Sequence, residues 1–274
     1  MKRIIRVFPR RTSHTPTDDM AFVGEPPMFR PEADEVHVSC CFTWDIDKAK
    51  HLADSWGQYY PVKLSGPAFD AVPNGFTPGM YIKSGVTFTS RGCNNQCPFC
   101  LVSKREGPLR ELPIQEGNIL QDNNVLQANK SHWNKVIQML KTQKQVEFIG
   151  GLDARLITTE NADDIRGLRI KQVFLACDNK SGLRALQIAV KRLQLPMRKA
   201  RCYVLIAFNG ESISEARERL EDVYHAGCMP FAQLFQPPDK WIEYSREWKN
   251  LARTFSRPAA TYAEMKKEVN QCEK

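Results

Sequence analysis

The stretch GVTFTSRGCNNQCPFC, residues 85–100, joins two kinds of sequence that together indicate the fold. Residues 85–89 are rich in β-branched and aromatic side chains, which is typical of a β-strand. Three cysteines follow with the spacing C-x3-C-x2-C, namely Cys93, Cys97 and Cys100. The sequence therefore predicts a strand whose carboxyl end carries a cysteine loop.

The spacing of these cysteines favours metal binding over their other common roles. Three thiolates on one short loop can hold three irons of a [4Fe-4S] cube and leave the fourth iron without a protein ligand. Zinc is a weaker alternative, because no second pair of Cys or His residues follows to complete four ligands. Core packing is disfavoured because the residues around the cysteines form a polar turn: Gly92, Asn94, Asn95, Gln96 and Pro98. Disulfides are disfavoured because nothing in the sequence indicates secretion.

Beyond this loop, short apolar runs alternate with helical patterns, as in repeated β/α units around a parallel sheet. The runs predict five further strands, at residues 118–120, 146–149, 173–176, 202–208 and 231–235. Apolar residues at helical spacing predict helices over residues 133–140, 186–193 and 213–223. Ser212 or Ser214 is expected to cap the last helix, and Gly227 to end it. Six strands within residues 85–236 predict an α/β fold that forms an open, partial (β/α)6 TIM-like barrel.

The N-terminal 84 residues also have α/β character and are expected to form a small region of their own. Strands are predicted at residues 4–8 and 36–42 and from Val62 onward. Asp45 is expected to cap a helix whose apolar face includes Leu52 and Trp56. Residues 237–274 are expected to form a C-terminal helical extension.

With Phe99 just before its last cysteine, the cysteine loop resembles the signature of the radical S-adenosylmethionine (radical SAM) superfamily. The segments DNN (122–124) and GGLDAR (150–155) resemble the branch that often carries an upstream cobalamin-binding domain, here shortened. In that family the open iron chelates the amino and carboxylate groups of S-adenosylmethionine, and an electron from the reduced cluster cleaves the sulfonium. The resulting 5'-deoxyadenosyl radical abstracts hydrogen from a substrate. The resemblance implies a [4Fe-4S] cluster, S-adenosylmethionine and a reductant such as flavodoxin or ferredoxin.

Polar residues at the strand ends are the candidates for binding S-adenosylmethionine. The resemblance assigns Asp122 and Asn123 to the methionine amino group, and an Asx-turn is the structural alternative. Gly150 and Gly151 permit close approach of the backbone to a ligand.

Other candidates follow from the same reasoning about strand ends. Asp153 suits a ribose hydroxyl and Arg155 a carboxylate, because Arg offers a bidentate fork; a structural ion pair is the alternative. The remaining assignments place Asp178 and Asn179 at the ribose, Asn209 at adenine and Phe99 against the adenine. Three charged residues past the last cysteine suit either an anionic substrate or a solvated helix start: Lys104, Arg105 and Glu106.

Cobalamin itself is not expected, because the Asp-x-His-x-x-Gly pattern is absent. His14 has Thr12 where the Asp belongs and Thr17 where the Gly belongs, so a surface or hydrogen-bonded histidine is favoured. Six further cysteines lack C-x2-C spacing, which disfavours an auxiliary cluster and methylthiolation and favours packing: Cys40, Cys41, Cys177, Cys202, Cys228 and Cys272.

Composition indicates the cellular setting and the class of substrate. The hydrophobic content of 42% supports a full core, and no run of 18 apolar residues is present, so a soluble, cytoplasmic protein is expected. The net charge of +8 is compatible with a polyanionic partner such as RNA, DNA or a nucleotide; solvated helix faces and termini are the alternative. The substrate expected on this basis is related to nucleic acid: a nucleobase, a nucleotide or a nucleic acid. Two alternatives stay open: a small-molecule mutase or cobalamin-assisted methyltransferase, and a non-catalytic iron-sulfur protein.

Overall fold

The structure, a computed structural model, describes residues 2–69 and 77–272, without the side chains of residues 268–272. The chain divides into two compact units, Met1–Val86 and Thr87–Lys274. Each unit has a hydrophobic core made of its own residues.

The first unit is a small parallel sheet with one α-helix in its described part. Its strands are β1 (Ile4–Phe8), β2 (Ala21–Val23), β3 (Glu35–Ser39) and β4 (Val62–Ser65), in the order β2-β1-β3-β4. All three pairings are parallel, and helix α1 (Ile46–Gly57) connects β3 to β4. Every residue of β3 is buried, as in a sheet covered on both faces. The α/β character predicted for this region is confirmed.

Asp45 occupies the N-cap position of α1 but does not cap the helix with its side chain. The buried carboxylate instead accepts two hydrogen bonds from Arg10, at 2.5 Å from Nε and 2.6 Å from Nη2. The predicted capping role is therefore wrong. A bidentate, charge-assisted pair with Arg10 is stronger than a single bond to a backbone N–H.

The second unit is built on a six-stranded sheet. Its strands are β5 (Val86–Thr87), β8 (Ile119–Leu120), β9 (Val146–Asp153), β10 (Ile170–Ala176), β11 (Ala200–Ile206) and β12 (Met229–Leu234). They lie in the order β12-β11-β10-β9-β8-β5. The pairings from β8 to β12 are parallel. All six predicted strands are present in order, although β9 continues through the two glycines that were expected to follow it.

Helices lie between the strands of this sheet and after it. They are α2 (Val102–Glu106), α3 (Lys130–Lys141), α4 (Thr159–Arg166), α5 (Leu183–Leu193), α6 (Ile213–His225), α7 (Arg246–Ser256) and α8 (Pro258–Cys272). The three predicted helices are confirmed as α3, α5 and α6. Ser212 caps α6 in a capping box with Glu215, and Gly227 follows its end with a φ of +89°. Helix α4 was not predicted, because its capping box uses Asn161 in place of the usual Glu or Gln.

The core of the second unit includes the C-terminal region. Leu251 and Phe255 of α7 are buried in the same core as Phe148 of β9 and Leu220 of α6. Residues after 236 are therefore partly core of this unit rather than only an appended extension. In the described part of the chain, no helix is long and apolar enough to cross a membrane.

Candidate functional site

The cysteine loop is closed at its base by two short antiparallel strands. These are β6 (Ser90–Arg91) and β7 (Arg110–Glu111). Inside them, the Cys93 N–H donates to the Gly107 carbonyl at 3.1 Å. Gly92 has a φ of +83°, and a Cβ there would lie 2.3 Å from the Pro108 carbonyl oxygen. The start of the motif therefore requires glycine.

An ion pair also fixes the loop. Arg91 Nε donates to Glu106 Oε2 at 2.8 Å and Nη2 to Oε1 at 2.5 Å, with both side chains largely buried. Glu106 also accepts from the Gly92 N–H at 3.2 Å. The sequence predicted that Glu106 and Lys104 contact either a substrate or solvent. Glu106 contacts neither as its main role, because it stabilises the loop, whereas Lys104 is exposed.

The three motif thiols are half-buried and line one cavity of about 330 Å³. The Asn95 N–H donates to Cys93 Sγ at 3.4 Å. Burial raises the pKa of the Cys97 thiol, and the neighbouring Cys100 raises it further. Burial is also the main cause of the raised pKa of Cys100. Metal binding at these thiols must therefore displace protons at neutral pH.

The carboxyl ends of β9 and β10 form much of the remaining wall of this cavity. Because neighbouring parallel strands end at the same edge, their terminal residues meet there. Eight of the predicted binding residues line it: Phe99, Asn123, Gly150, Gly151, Asp153, Arg155, Asp178 and Asn179.

Asp153 and Arg155 form an ion pair on the cavity wall. Arg155 Nε donates to Asp153 Oδ1 at 2.8 Å and Nη2 to Oδ2 at 2.6 Å. Asn95 of the cysteine loop donates to the same Oδ2 at 3.0 Å. Burial raises the pKa of Asp153, but the hydrogen bonds from Arg155 and Asn95 outweigh it, so the net pKa is lowered. Asp153 is therefore an ionised link between the loop and β9.

Asp178 offers a second carboxylate to the cavity. Burial raises its pKa, while the hydrogen bond from the Leu205 N–H at 3.0 Å lowers it in part. The neighbouring Asn179 also lines the cavity, but its Oδ1 accepts from the Gly182 N–H at 2.9 Å and caps a turn.

Asp122 and Asn209 are not brought to the cavity. The Asp122 carboxylate is buried and accepts from the Thr89 N–H at 2.6 Å and the Ser90 hydroxyl at 3.0 Å. These hydrogen bonds hold the carboxylate against the residues that follow β5, so it is not available to a ligand amino group. Asp122 does not form the alternative Asx-turn either. Asn209 is exposed in the turn after β11, with a φ of +56°.

Asn124 and Tyr203 also line the cavity, although neither is among the predicted binding residues. Asn124 is 3% exposed, its Nδ2 lies 4.0 Å from Cys93 Sγ, and its Oδ1 has no hydrogen-bond partner among the described residues. The run of polar residues after β8 was the feature of the sequence that could have indicated a binding role for Asn124. Tyr203 packs its ring beside Gly151 and donates its hydroxyl to the Ile149 carbonyl at 2.9 Å. Successive side chains of a strand point to opposite faces of the sheet, so Tyr203 lies on the face opposite to Cys202 and Val204. This alternation in the sequence of β11 could have indicated that Tyr203 faces away from the side chains of Cys202 and Val204.

Among the described residues, no group of three or more His, Cys, Asp or Glu side chains converges closely enough to hold a single metal ion. In a [4Fe-4S] cube each thiolate binds a different iron, so three thiols that line one cavity are the set of donor groups that such a cluster uses.

The other described cysteines are free and not part of this loop. Cys40, Cys177, Cys202 and Cys228 are buried, whereas Cys41 is exposed; the side chain of Cys272 lies outside the described part. Cys177 also lines the cavity. In the first unit, His14 lies beside a cavity of about 80 Å³ with Arg10 and Asp45.

Comparison with known proteins does not assign a family. No model of a known protein family matches the sequence, and no curated protein matches it either.

Proposed function

We propose that the chain is a radical SAM enzyme that binds a [4Fe-4S] cluster and S-adenosylmethionine. One observation carries the proposal: the three thiols of the C-x3-C-x2-C loop and the polar ends of β9 and β10 line the same cavity. Its volume of about 330 Å³ falls in the range of about 300–1,000 Å³ for small-molecule pockets. In this proposal the six-stranded sheet is the partial (β/α)6 barrel of that class.

The three thiols would be the cluster ligands, and the strand ends would bind the cofactor. When bound, the cluster supplies the electron that cleaves S-adenosylmethionine to a 5'-deoxyadenosyl radical. Gly151 leaves space for a ligand beside Tyr203, because it carries no side chain. Asp178 and Asn123 present oxygen acceptors to hydroxyl or amino groups. The Asn124 Oδ1, which has no hydrogen-bond partner in the part of the chain that the structure describes, replaces Asp122 as the buried acceptor near the cysteines.

The substrate proposed is a nucleobase, a nucleotide or a nucleic acid, and the electron donor is a flavodoxin or a ferredoxin. The net charge of +8 supports the two anionic members of this class, a nucleotide or a nucleic acid. Hydrogen abstraction by the 5'-deoxyadenosyl radical would be the first step on that substrate.

The test is anaerobic reconstitution with iron and sulfide, followed by iron counting, electron paramagnetic resonance of the reduced protein and assay of 5'-deoxyadenosine. Wild-type protein is expected to bind about four irons and to form 5'-deoxyadenosine with S-adenosylmethionine. Cys97→Ala is expected to lose the signal and the product. Cys41→Ala removes an exposed thiol outside the motif and is expected to keep both.

The outcomes separate the competing readings. Iron binding without 5'-deoxyadenosine would support the non-catalytic iron-sulfur protein and contradict the enzyme. Equal iron content in wild type and Cys97→Ala would contradict the cluster itself. Stimulation of 5'-deoxyadenosine formation by RNA, DNA or nucleosides would support the substrate class, whereas stimulation by a small-metabolite fraction alone would overturn it.

A further inference from the structure

A basic groove lies at the amino-terminal ends of three neighbouring strands of the second unit. It has a volume of about 740 Å³ and is lined by Lys144, Gln145, Leu168, Arg169, Ile170, Lys171, Arg198 and Lys199. These residues lie at the starts of β9, β10 and β11. We call this surface the basic groove. No acidic side chain is among its lining residues.

Four of the five cations of the groove have no ion-pair partner within the described part of the chain. Among the described residues, Lys144, Arg169, Arg198 and Lys199 make neither an ion pair nor a side-chain hydrogen bond, and Lys171 alone pairs with Glu147, at 2.8 Å. Like charges gathered on one concave surface repel one another, and an anion in the groove would relieve that repulsion.

We propose that the basic groove binds the sugar-phosphate backbone of a nucleic acid strand. Neighbouring strands are about 4.8 Å apart, so the starts of β9, β10 and β11 span about 10 Å. Over that length, each strand of a double helix carries about three phosphates. Arg169 and Arg198 supply the planar fork that matches phosphate oxygens. This site goes beyond the proposed chemistry of the cysteine cavity.

The lining residues distinguish a nucleic acid from other anionic partners. An anionic membrane would be bound through exposed apolar side chains as well as charge, but Leu168 and Ile170 are only 7% and 6% exposed. A single phosphate would need one cation cluster rather than a row along three strands. The groove has no aromatic side chain on which a base could stack, so binding is independent of sequence.

The groove and the cysteine cavity lie at opposite ends of the same strands. Strand β10 runs seven residues from Ile170 in the groove to Ala176 at the cavity. At about 3.3 Å per residue, the two sites are about 20 Å apart. A nucleic acid in the groove therefore leaves the cavity open.

The test measures binding of fluorescein-labelled, single-stranded RNAs of 20 nucleotides by anisotropy at 50–200 mM salt. Arg169→Glu/Arg198→Glu is expected to weaken binding at least about tenfold and to reduce the slope of log K against log salt by about 1.4, since each contact contributes about 0.7. Oligo(A) and oligo(U) are expected to bind alike. Lys50→Glu/Lys135→Glu changes the net charge equally on exposed helix surfaces and is expected to leave binding within about threefold of wild type.

A gain of binding provides a second test that loss of folding cannot imitate. Glu147→Gln releases Lys171 from its ion pair, so binding should tighten and the slope should steepen by about 0.7. Equal weakening by the groove and control variants, or no effect of Glu147→Gln, would overturn the proposal. Binding of phosphatidylserine vesicles that depends on Arg169 and Arg198, without RNA binding, would assign the groove to a membrane instead. None of these measurements needs a cluster, so they are separate from the test of the cavity.

Discussion

At the scale of single residues, Asp122 and Asn124 show how neighbouring polar side chains take different roles. Asp122 is enclosed by Thr89 and Ser90 and joins β5 to β8. Asn124, two residues later, reaches the cavity near Cys93. Both are about 3% exposed, so burial alone does not separate a structural residue from one that faces a ligand.

The first prediction concerns the pH dependence of stability at Asp122. Burial raises its pKa in the folded protein above the ordinary 3.8, so its contribution to stability is full below that value and is lost as the pH rises. The unfolding free energy of wild type minus that of Asp122→Asn should therefore fall between about pH 4 and pH 7. Urea unfolding at several pH values measures this.

Asp153→Asn is the matched control for that experiment. The pKa of Asp153 is lowered, so its contribution is present above the ordinary value and is lost only as the pH falls below it. The corresponding difference should be flat between about pH 4 and pH 7. The same slope for both variants would contradict the assignment of Asp122.

The second prediction concerns Gly150. A Cβ at this position would lie 1.8 Å from the Asp122 carbonyl oxygen, so backbone must move. Gly150→Ala should destabilise the second unit by about 1–3 kcal/mol, the usual cost of overpacking. Gly167→Ala, whose Cβ would approach nothing closer than 3.4 Å at a φ of −69°, should be near neutral. Thermal unfolding compares the two; equal melting temperatures would show that β8 and β9 can separate at no cost.

At the scale of elements, the carboxyl ends of the strands and helix α7 were only partly predictable. Strand β9 extends to Asp153 because Leu152 is buried and pairs with Leu175 of β10, after a register shift that falls at residues 149–151. The two glycines inside this stretch indicated a turn; instead they form an irregularity within the strand, where Gly151 has a φ of +90°. Helix α7 packs on the sheet through one apolar side, whereas its other residues are largely charged.

The third prediction tests that packing. Phe255 is fully buried, so Phe255→Ala should cost about 3–5 kcal/mol in unfolding free energy of the second unit. Ile188→Ala on α5 removes a side chain that is 43% exposed and should cost less than about 1 kcal/mol. Chemical denaturation measures both. A small loss for Phe255→Ala would mean that residues after 236 are dispensable to the core.

At the scale of the whole molecule, the chain forms two units with separate cores. The first is centred on residues such as Val36 and Trp56, and the second includes Phe148 and Phe255. Charge is also organised at this scale, because the basic groove collects residues from 144 to 199 that are far apart in sequence.

The fourth prediction follows from the separate cores. Trp56→Ala removes a fully buried ring and should destabilise the first unit by about 3–5 kcal/mol. Hydrogen exchange measured by mass spectrometry should show faster exchange in peptides of β1 and β3, while peptides of β10 and β11 keep their protection. Loss of protection in both units to the same extent would show that they unfold as one.

The sequence could predict where the strands follow one another along the chain, where three helices lie and where the cysteine loop lies. Each of these depends on a local pattern of side chains. Apolar runs such as those of β10 and β11 must be buried, and Ser212 can cap only the helix that follows it. The partner of Asp45 could not be predicted, since Arg10 lies 35 residues away in sequence. For Asp153 and Arg155 the sequence offered two roles, ligand binding and a structural ion pair. The two roles are compatible, because the ion pair lies on the cavity wall.

By itself, the sequence determined the α/β class, the six apolar strands and a loop with three cysteines at the end of the first of them. These follow from side-chain type and spacing along the chain. Only the tertiary structure decided that Asn124 rather than Asp122 faces the cavity, and that separate cations form one groove. Both depend on which distant segments approach each other, a choice made by sheet pairing and core packing rather than by local preference.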